Sequence, residues 1–224
     1  AVRNTAIRGG YRVQIWYSEL DQNKAQGSAT LEGARFDIIS LNEAPVLVNG
    51  ASYDKNEVVA TLTTDKTGSA QTKADLLPYG SYRLKEVTPP KGYNKTGTLS
   101  RDFHIRENGN LVSLDTSSTA IKNDIIRGDL EIVKFAEPPD DEEDQMPPLE
   151  GIIFEITSKT TGEVFEITTD KNGYASTTQL KLNSRGNLVY DTYTVHEKNT
   201  PSSLDSVDDF EVSISEEGQT LYYI

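Results

Sequence analysis

An internal repeat constrains the fold of this chain more than any other feature. The segment RGGYRVQI, residues 8–15, returns as RGDLEIVK, residues 127–134, and each copy follows a short apolar run that contains an asparagine. These asparagines, Asn4 and Asn123, are 119 positions apart, as are the glycines that follow the first arginine of each copy. A repeat unit of this length is a whole domain, so the sequence predicts one domain type used in tandem.

Further landmarks recur in the same order and set the expected domain boundaries. LEGARFDI returns as LEGIIFEI, DKTGSAQT as DKNGYAST, and YGSYRLKE as YDTYTVHE. We therefore expect domains at about residues 9–127 and 128–224. Residues 1–8 match residues 120–127 position by position, which predicts the last strand of a preceding domain. No counterpart of the AIKN segment follows QTLYYI in the second copy, so its final strand is expected to be truncated.

Turn residues divide both copies into short segments in which apolar and polar residues alternate. Such alternation is typical of strands that bury one face, and motifs such as DKTG, PPKG and NG are typical of the turns between them. We find no amphipathic helix, so the predicted fold class is all-β, with a β-sandwich in each domain. In the first domain the expected strands are Tyr11–Tyr17, Glu32–Ile39, Val58–Thr64, Ser69–Lys73, Tyr82–Val87, Leu99–Arg106 and Thr119–Asn123.

Composition excludes several classes of function. The net charge is −13, and a surface of this charge repels the phosphate backbone of nucleic acids. No apolar run is long enough to span a bilayer, and no signal peptide is recognisable. The chain has no cysteine, which excludes disulfides, thiolate metal ligands and cysteine nucleophiles. We expect no cofactor.

The acidic run Asp140–Asp144 is a candidate calcium site, because hard cations take carboxylate oxygens. It lacks the spaced Asp and Gly pattern of a loop that wraps an ion, and prolines bound it on both sides. A solvated loop is the favoured interpretation, and no metal site is predicted.

Several landmarks together resemble those of CnaB-type domains, also called SpaA-like or prealbumin-like domains, of Gram-positive surface proteins and pilins. The shared features are a first strand that ends in lysine, an LxGxxF second strand, a DxxG turn and the motif YxLxExxxPxGY, which is nearly complete as YRLKEVTPPKGY, residues 82–93. The resemblance covers essentially the whole chain. It implies two tandem Ig-like or prealbumin-like β-sandwiches in a structural stalk that is extracellular and cell-wall anchored, with the anchor outside this fragment.

The same resemblance implies an autocatalytic isopeptide bond, in which a lysine of the first strand joins an Asn or Asp of the last strand. In the second domain it implies Lys134 as the nucleophile, Glu197 as the catalytic acid and an acceptor just beyond Ile224. Elementary chemistry agrees, because burial disfavours an ammonium and leaves the neutral amine that can attack. The alternative is a partly exposed Lys134 that forms an ordinary ion pair with Glu197.

The first domain departs from this pattern at the lysine position. Glu86 and Asn123 match the catalytic glutamate and the acceptor, but Ile15 stands where the nucleophile should be. Isoleucine cannot attack a carbonyl, so we predict no isopeptide bond here and a vestigial Glu86, protonated and hydrogen-bonded to Asn123. Asn4 would be the acceptor for a preceding domain. Whether Ile15 is natural or engineered stays open.

A different lysine in the first domain is the alternative source of a nucleophile. The candidates fall in loops or at positions that are expected to face outward, which disfavours them: Lys24, Lys55, Lys66, Lys73, Lys85, Lys91, Lys95 and Lys122.

Three functions remain open at this point. The leading one is a stalk or backbone segment whose partners are neighbouring domains of the same surface protein, with no enzymatic turnover beyond the single intramolecular reaction. The second is a pair of adhesin domains that binds a host protein or glycan through the inserts at residues 41–56 and 182–188. The third is an accessory β-sandwich of an extracellular enzyme.

Overall fold

A computed structural model describes residues 1–17, 19, 25–94, 99–113, 121–137 and 146–224. The chain forms two compact units. Unit 1 consists of residues 1–25 and 29–124, and unit 2 of residues 26–28 and 125–224. Both units are built from strands, which confirms the predicted all-β fold class.

Unit 1 is a sandwich of short strands. Its strands are β1 (Arg8–Gln14), β2 (Trp16–Tyr17), β3 (Arg35–Ser40), β4 (Val46–Val48), β5 (Ala51–Tyr53), β6 (Val58–Thr63), β7 (Ser69–Gln71), β8 (Leu77–Pro78), β9 (Gly80–Thr88), β10 (Tyr93–Asn94), β11 (Ser100–Ile105), β12 (Leu111–Ser113) and β13 (Lys122–Ile125). One sheet has the order β11-β9-β3-β6, and the facing strands form the sheets β12-β1-β7, with β8 also on β1, and β10-β13-β2. The ring centroids of Tyr11 on β1 and Phe103 on β11 are 4.3 Å apart, which shows that the two layers pack face to face.

Period-two alternation determines which side chains enter the core of unit 1. On β9, Tyr82, Leu84 and Glu86 are buried, whereas Arg83 and Lys85 between them are partly exposed. Successive side chains of a strand point to opposite faces, so the apolar residues Tyr82 and Leu84 direct Glu86 inward as well. A carboxyl group therefore lies inside this sandwich as a direct consequence of the sequence pattern.

Unit 2 repeats the sandwich with fewer strands. They are β14 (Arg127–Val133), β15 (Ile153–Ser158), β16 (Val164–Thr168), β17 (Tyr174–Ser176), β18 (Leu188–Val189), β19 (Asp191–Glu197), β20 (Phe210–Ile214) and β21 (Gln219–Tyr223), with one turn of 3-10 helix at Thr177–Leu180. The antiparallel sheet has the order β16-β15-β19-β20. In the other sheet, β14 is the central strand and pairs with β17, β18 and β21. Leu130 and Ile132 of β14 join Phe154, Ile156 and Tyr193 in a core that excludes water.

The last strand of each unit runs parallel to the first. In unit 2, β21 pairs with β14 from Gly128 opposite Gln219 to Ile132 opposite Tyr223. In unit 1, β12 pairs with β1 in the equivalent register, and β13 pairs with β2, where Asn123 lies opposite Tyr17. The terminal strands of each unit are thus neighbours, so a bond between them would close almost the whole domain into a loop.

The repeated glycine of the first strand makes room for the last strand. A Cβ atom on Gly128 would lie 2.5 Å from the carbonyl oxygen of Gln219, and one on Gly9 would lie 2.9 Å from that of Asn110. Neither backbone oxygen can move away without breaking the parallel pairing. The glycines that define the sequence repeat are therefore required by this close approach.

We predict that Gly128→Ala destabilises unit 2, because the added methyl group pushes Gln219 away from β14. Overpacking of this kind lowers the free energy of unfolding by roughly 1–3 kcal/mol. Chemical denaturation monitored by far-UV circular dichroism would measure this loss. Thr220→Ala, an exposed position on the same pair of strands, is the control and should be close to neutral. Equal stability of Gly128→Ala and the unaltered chain would contradict this account.

Several observed elements differ from the sequence-based expectations. Residues 1–7 form no strand, and Arg8 belongs to β1 rather than to a preceding strand. The insert 41–56 contains the hairpin β4–β5, whose Asn49-Gly50 turn has two positive φ angles, as type I′ turns require. The expected strand Tyr11–Tyr17 is interrupted at Ile15, and the unit boundary falls at residue 124 rather than 127.

Three findings concern features that the sequence raised. Residues 119–120 of an expected strand and the acidic run Asp140–Asp144 lie outside the described residues. Within the described ranges, no cluster of three or more His, Cys, Asp or Glu side chains is arranged to hold a metal ion. The described part of the chain contains no helix of the length and hydropathy that crossing a membrane requires.

Candidate functional site

The candidate site of unit 2 joins the end of the first strand to the end of a central strand. Lys134 directly follows β14 and continues the face that carries the buried Leu130 and Ile132. Glu197 ends β19 on the face that carries the buried Tyr193 and Val195. The two patterns of alternation converge, and Lys134 Nζ lies 3.4 Å from Glu197 Oε2.

The pair is shielded from solvent, and Glu197 more so than Lys134. The Lys134 side chain is 16% exposed and the Glu197 side chain 1% exposed. In the described part of the chain, Glu197 is the one ion-pair partner of the Lys134 amine. Because both side chains are largely buried, solvent screens the electrostatic interaction between Lys134 and Glu197 poorly.

One oxygen of Glu197 has a donor besides the amine, and the other has none. Glu197 Oε2 accepts a hydrogen bond of 3.0 Å from the backbone N–H of Val207. Glu197 Oε1 is buried and receives no hydrogen bond from any described residue. A buried acceptor without a donor costs about 1–3 kcal/mol, so this oxygen is the place where a further hydrogen-bond donor would be stabilised.

A groove of about 450 Å³ opens beside the amine. Its walls are mostly apolar side chains from the ends of several elements, namely Ile132, Val133, Phe135, Met146, Phe154, Val207, Phe210, Tyr223 and Ile224, together with Lys134 and Glu137. This mostly apolar lining lowers the local dielectric around Lys134, and the groove has room for an extended peptide segment.

The backbone at one wall of the groove pairs with described residues on one side only, where Phe135 bridges to Pro148. Lys134 N–H donates to Gly173 O at 2.8 Å, Leu149 N–H donates to Lys134 O at 3.0 Å, and Ala136 N–H donates to Pro147 O at 2.9 Å. Because backbone groups alternate in direction along a strand, those of Phe135 point the other way, toward the groove that its side chain also lines. An edge of this kind is a template for a further strand.

Unit 1 shows how an asparagine of a last strand reaches the glutamate. Asn123 Nδ2 donates a hydrogen bond of 3.1 Å to Glu86 Oε1, and both residues are 0% exposed. The N–H of Trp16 donates to Ile121 O at 3.2 Å, which ties β13 to β2. Ile15, at the position related by the 119-residue repeat to Lys134, is 0% exposed.

Aromatic rings help to exclude water from the Glu86–Asn123 pair of unit 1. Tyr17, the neighbour of Asn123 across the strand pair, stacks on Tyr93 with 3.9 Å between ring centroids. Burial raises the pKa of the Tyr17 hydroxyl well above its ordinary value, and the adjoining Tyr93 raises it further. The Glu86–Asn123 pair therefore adjoins a region from which water is largely excluded.

Each unit contains two of the three groups that the sequence singled out. Unit 2 brings together Lys134 and Glu197, and unit 1 brings together Glu86 and Asn123. Asn4 is exposed and belongs to no strand. In unit 1, Ile15 stands at the lysine position.

The other lysines of unit 1 are placed as the sequence pattern suggests where the structure describes them. Lys55, Lys66, Lys73 and Lys91 are exposed, and Lys85 and Lys122 are partly exposed between buried neighbours on β9 and β13. Lys24 and Lys95 lie outside the described residues. The absence of a substitute nucleophile in unit 1 stays a prediction.

Comparison with known proteins identifies the domain type. Residues 18–120 and 139–223 match SpaA, described as a prealbumin-like fold domain, one stretch in each unit. The chain belongs to the SpaA family. It carries two SpaA-like domains in tandem, as the repeat predicts. No curated protein matches the chain.

Three solved structures are similar to the chain at low sequence identity, and the first of them shows the same fold. The Bacillus anthracis TIE protein is 21% identical with a TM-score of 0.62, over 97% of this chain and 34% of that one. The SpaC pilus adhesin of Lactobacillus rhamnosus GG is 15% identical with a TM-score of 0.47, over 93% and 28%. The minor pilin GBS52 of Streptococcus agalactiae is 16% identical with a TM-score of 0.38, over 96% and 94%. The SpaA-like pair thus spans about a third of the TIE protein.

Proposed function

We propose that this chain is a stalk segment of a Gram-positive surface protein or pilin, in which unit 2 is built to form an intramolecular isopeptide bond and unit 1 is not. The observation that carries the proposal is the buried pair Lys134 and Glu197, whose second carboxyl oxygen receives no hydrogen bond from a described residue. Membership of the SpaA family and the tandem arrangement support the structural role. The partners would be neighbouring domains of the same surface protein, outside the cell.

The acceptor is an asparagine or aspartate on a strand that runs past Phe135 and Ala136. Unit 1 supplies the precedent, because β13 runs parallel to β2 and places Asn123 Nδ2 on a glutamate oxygen. No described residue pairs with the second side of the Phe135 backbone or donates to Glu197 Oε1, and such a strand would satisfy both. One strand would therefore fill the groove, pair with the backbone edge at Phe135 and donate a hydrogen bond to Glu197 Oε1.

The chemistry follows from these positions. A proton passes from the Lys134 ammonium to the Glu197 carboxylate, which leaves a neutral amine beside a carboxylic acid. The amine nitrogen attacks the side-chain carbonyl carbon of the acceptor while Glu197 donates its proton toward the carbonyl oxygen. Glu197 then takes a proton from the attacking nitrogen and passes it to the amide nitrogen of the acceptor. The carbonyl oxygen returns its proton to Glu197 as the carbon–nitrogen bond of the asparagine amide breaks and ammonia leaves. The reaction happens once, and its product is an amide between the terminal strands.

This product suits a stalk. The bond would join the end of β14 to a strand that continues from β21, and β21 is already the parallel neighbour of β14. Force applied at the two ends of the unit would then act through a covalent amide, and the strands could not be peeled apart by rupture of hydrogen bonds alone. Resistance to pulling and to proteolysis is the property that a surface stalk requires.

The two inserts proposed as an adhesive surface are used within the fold. The insert 41–56 is the hairpin β4–β5. In the insert 182–188, Asn187 Oδ1 accepts from the N–H of Leu182, and Asn187 Nδ2 donates to Asp129 Oδ1. These contacts give the inserts a structural role, so the stalk is the function that the geometry supports best.

The proposal predicts a covalent change when unit 2 receives an acceptor strand. By the register of β21 on β14 and of β12 on β1, Ile224 corresponds to Asp115, so a copy of the sequence of residues 116–126 appended after Ile224 should place its asparagine at Lys134. Intact-mass measurement should find the extended chain lighter by one ammonia. Residues 1–224 without the appended segment serve as the mass reference.

The controls separate chemistry from folding. Lys134→Ala in the extended chain should abolish the mass loss, and Glu197→Gln should slow it by about 10²- to 10⁴-fold, the usual contribution of general acid–base catalysis. Lys171→Ala, an exposed lysine of the same unit, should leave it unchanged. An extended chain that folds and keeps its full mass would show that Lys134 and Glu197 form an ordinary ion pair.

A further inference from the structure

We infer that the connection between β17 and β18 of unit 2 forms, together with Asp129 of β14, a binding site for a neutral sugar ring. The inference goes beyond the stalk function and is independent of the chemistry proposed for Lys134. It gives the insert 182–188 a ligand in addition to its structural role.

A polar pocket of about 400 Å³ lies where β14 meets this connection. Asp129 and the buried Asn187 form its floor, and Thr178 and residues 181–184 form its rim. Most of these side chains end in a hydroxyl, an amide or a charged group. The volume falls in the range of small-ligand sites and is sufficient for one six-membered sugar ring.

The connection that builds the pocket is longer in unit 2 than in unit 1. Thr72 and Thr177 occupy equivalent positions, because the hydroxyl oxygen of each accepts from a backbone N–H of the first strand. From this threonine to the leucine opposite the glycine of the first strand, unit 1 has four residues, 73–76, and unit 2 has ten, 178–187. The longer connection supplies the rim of the pocket.

The first strand differs between the units at the same place. Asp129 stands at the repeat position of Gly10. A Cβ atom on Gly10 would lie 2.4 Å from the carbonyl oxygen of Lys73 and 2.6 Å from the hydroxyl oxygen of Thr72, so unit 1 has no room for a side chain there. The long connection and the carboxylate therefore occur together in unit 2, and unit 1 has neither.

The Asp129 carboxylate is held in place through one of its two oxygens. Oδ1 accepts from the Thr177 hydroxyl at 2.6 Å, from the Asn187 N–H at 3.2 Å and from Asn187 Nδ2 at 2.9 Å. No described residue donates a hydrogen bond to Oδ2. Because three donors fix the group, Oδ2 is a preorganised acceptor for a ligand in the pocket that Asp129 lines.

Lys181 adopts a backbone conformation that favours glycine. Its φ of 52° and ψ of 39° lie in the left-handed region, which is unfavourable for a residue with a Cβ atom. The other described non-glycine residues with a positive φ are Asn49 and Asn56, and asparagine tolerates this region better than lysine does. The backbone of Lys181 caps the 3-10 turn by donating to Thr178 O, which glycine would do equally well.

The side chain of Lys181 therefore needs a role outside the local fold. It lines the pocket, and the ion pairs that the described residues of unit 2 form do not include it. A strained residue beside a pocket is a recognised mark of a functional position. We assign its ammonium as a hydrogen-bond donor to the ligand.

The chemistry of the pocket selects a neutral ligand with several hydroxyl groups. A hydroxyl both donates and accepts, so neighbouring hydroxyls of one ring can donate to Asp129 Oδ2 and accept from Lys181 Nζ. Ser184 adds a hydroxyl to the rim, and Leu182, which is 58% exposed, offers an apolar contact to the C–H face of the ring. An anionic ligand would be repelled, because unit 2 has 21 acidic and 7 basic residues.

Lys181→Gly separates ligand binding from a purely structural role of the pocket. If Asp129 served only to order the connection, its bonds to Thr177 and Asn187 would suffice, and the side chain at position 181 would not matter. Glycine relieves the left-handed backbone and keeps the cap, so unit 2 should keep its thermal midpoint. The ligand, however, should lose the donor that the ammonium provides.

Titration of the ¹⁵N-labelled chain with single sugars tests the site by NMR. The probes are D-glucose, D-galactose, D-mannose and N-acetyl-D-glucosamine, with N-acetylneuraminic acid and glycine as anionic and zwitterionic comparators. At least one neutral sugar should shift the backbone amide signals of residues 178–187 saturably, with a dissociation constant on the order of 1 mM, as expected for so small a ligand. The signals of residues 73–76 in unit 1 should not move.

Four variants define which side chains hold the sugar. Lys181→Gly and Asp129→Asn should each weaken binding about tenfold or more, because each removes a charge-assisted hydrogen bond. Lys181→Met keeps most of the side-chain stem and should behave as Lys181→Gly does. Lys171→Ala, an exposed lysine of unit 2 that does not line the pocket, should leave the dissociation constant unchanged.

Saturable shifts with a neutral sugar that are lost in Lys181→Gly, at an unchanged thermal midpoint, would support the site. The inference is overturned if none of the four neutral sugars shifts these signals at about ten times the expected dissociation constant. It is also overturned if only glycine or N-acetylneuraminic acid binds. Binding that both Lys181→Gly and Asp129→Asn leave unchanged would show that the sugar is held elsewhere.

Discussion

Ile15→Lys is expected to give unit 1 the cross-link that it lacks. Ile15 occupies the repeat position of Lys134 and is fully buried, while Glu86 and Asn123 are already hydrogen-bonded across the core. A lysine there would be desolvated beside a carboxyl group and an amide, which are the conditions for attack on Asn123. The measurement is intact mass, and the variant should be lighter than calculated by one ammonia.

Two controls belong to this variant. Ile15→Met fills a similar volume without an amine and should keep its full mass. Ile15→Lys combined with Asn123→Ala should also keep its full mass, and it should be much less stable, because an unpaired amine would then be buried. A folded Ile15→Lys chain at full calculated mass, or an unaltered unit 1 that already lacks ammonia, would contradict the assignment of these residues.

The second large effect is on the stability of unit 2. In the extended chain the bond from Lys134 would close a loop of about 100 residues, and the loop-entropy relation for covalent cross-links gives roughly 4–5 kcal/mol for that length. A change of 1 kcal/mol shifts the midpoint of a domain of this size by about 4–8 °C. The bonded unit 2 should therefore melt roughly 15 °C or more above the Lys134→Ala form of the same extended chain.

Scanning calorimetry measures this difference within one molecule. Unit 1 has the same sequence in both forms, so its transition serves as an internal reference and should not move. Under force, the unit without a bond should unfold and lengthen, while the bonded unit should extend only slightly. Equal midpoints for bonded and Lys134→Ala unit 2 would show that the bond adds nothing to the stability that packing provides.

The sequence was sufficient for the fold class and for the direction of the central side chains. The repeat defined two domains, and period-two alternation alone places Glu86 with Tyr82 and Leu84 inside unit 1. The same argument places Glu197 inside unit 2 and carries Lys134 along the inward face of β14. These inferences work because the register of a strand is set locally, by which face is apolar.

Features that depend on distant parts of the chain could not be read in this way. The N–H of Val207 that bonds Glu197 comes from a loop ten residues further on, and no motif marks it. The groove beside Lys134 has walls from residues as far apart as Ile132 and Ile224, so it exists only after the strands assemble. The hairpin at Asn49-Gly50 is different, since an NG turn between short apolar runs is a recognisable signal that was overlooked.

The chemical state of Lys134 Nζ, amide or ammonium, is the most direct test of the proposed isopeptide bond. In the extended chain labelled with ¹⁵N at lysine side chains, NMR should show one Nζ as a secondary amide, with a single slowly exchanging proton coupled to the side chain of the appended asparagine. That signal should vanish in Lys134→Ala and should be absent at early times in Glu197→Gln. A spectrum in which every lysine Nζ of the folded, extended chain remains an ammonium would contradict the account.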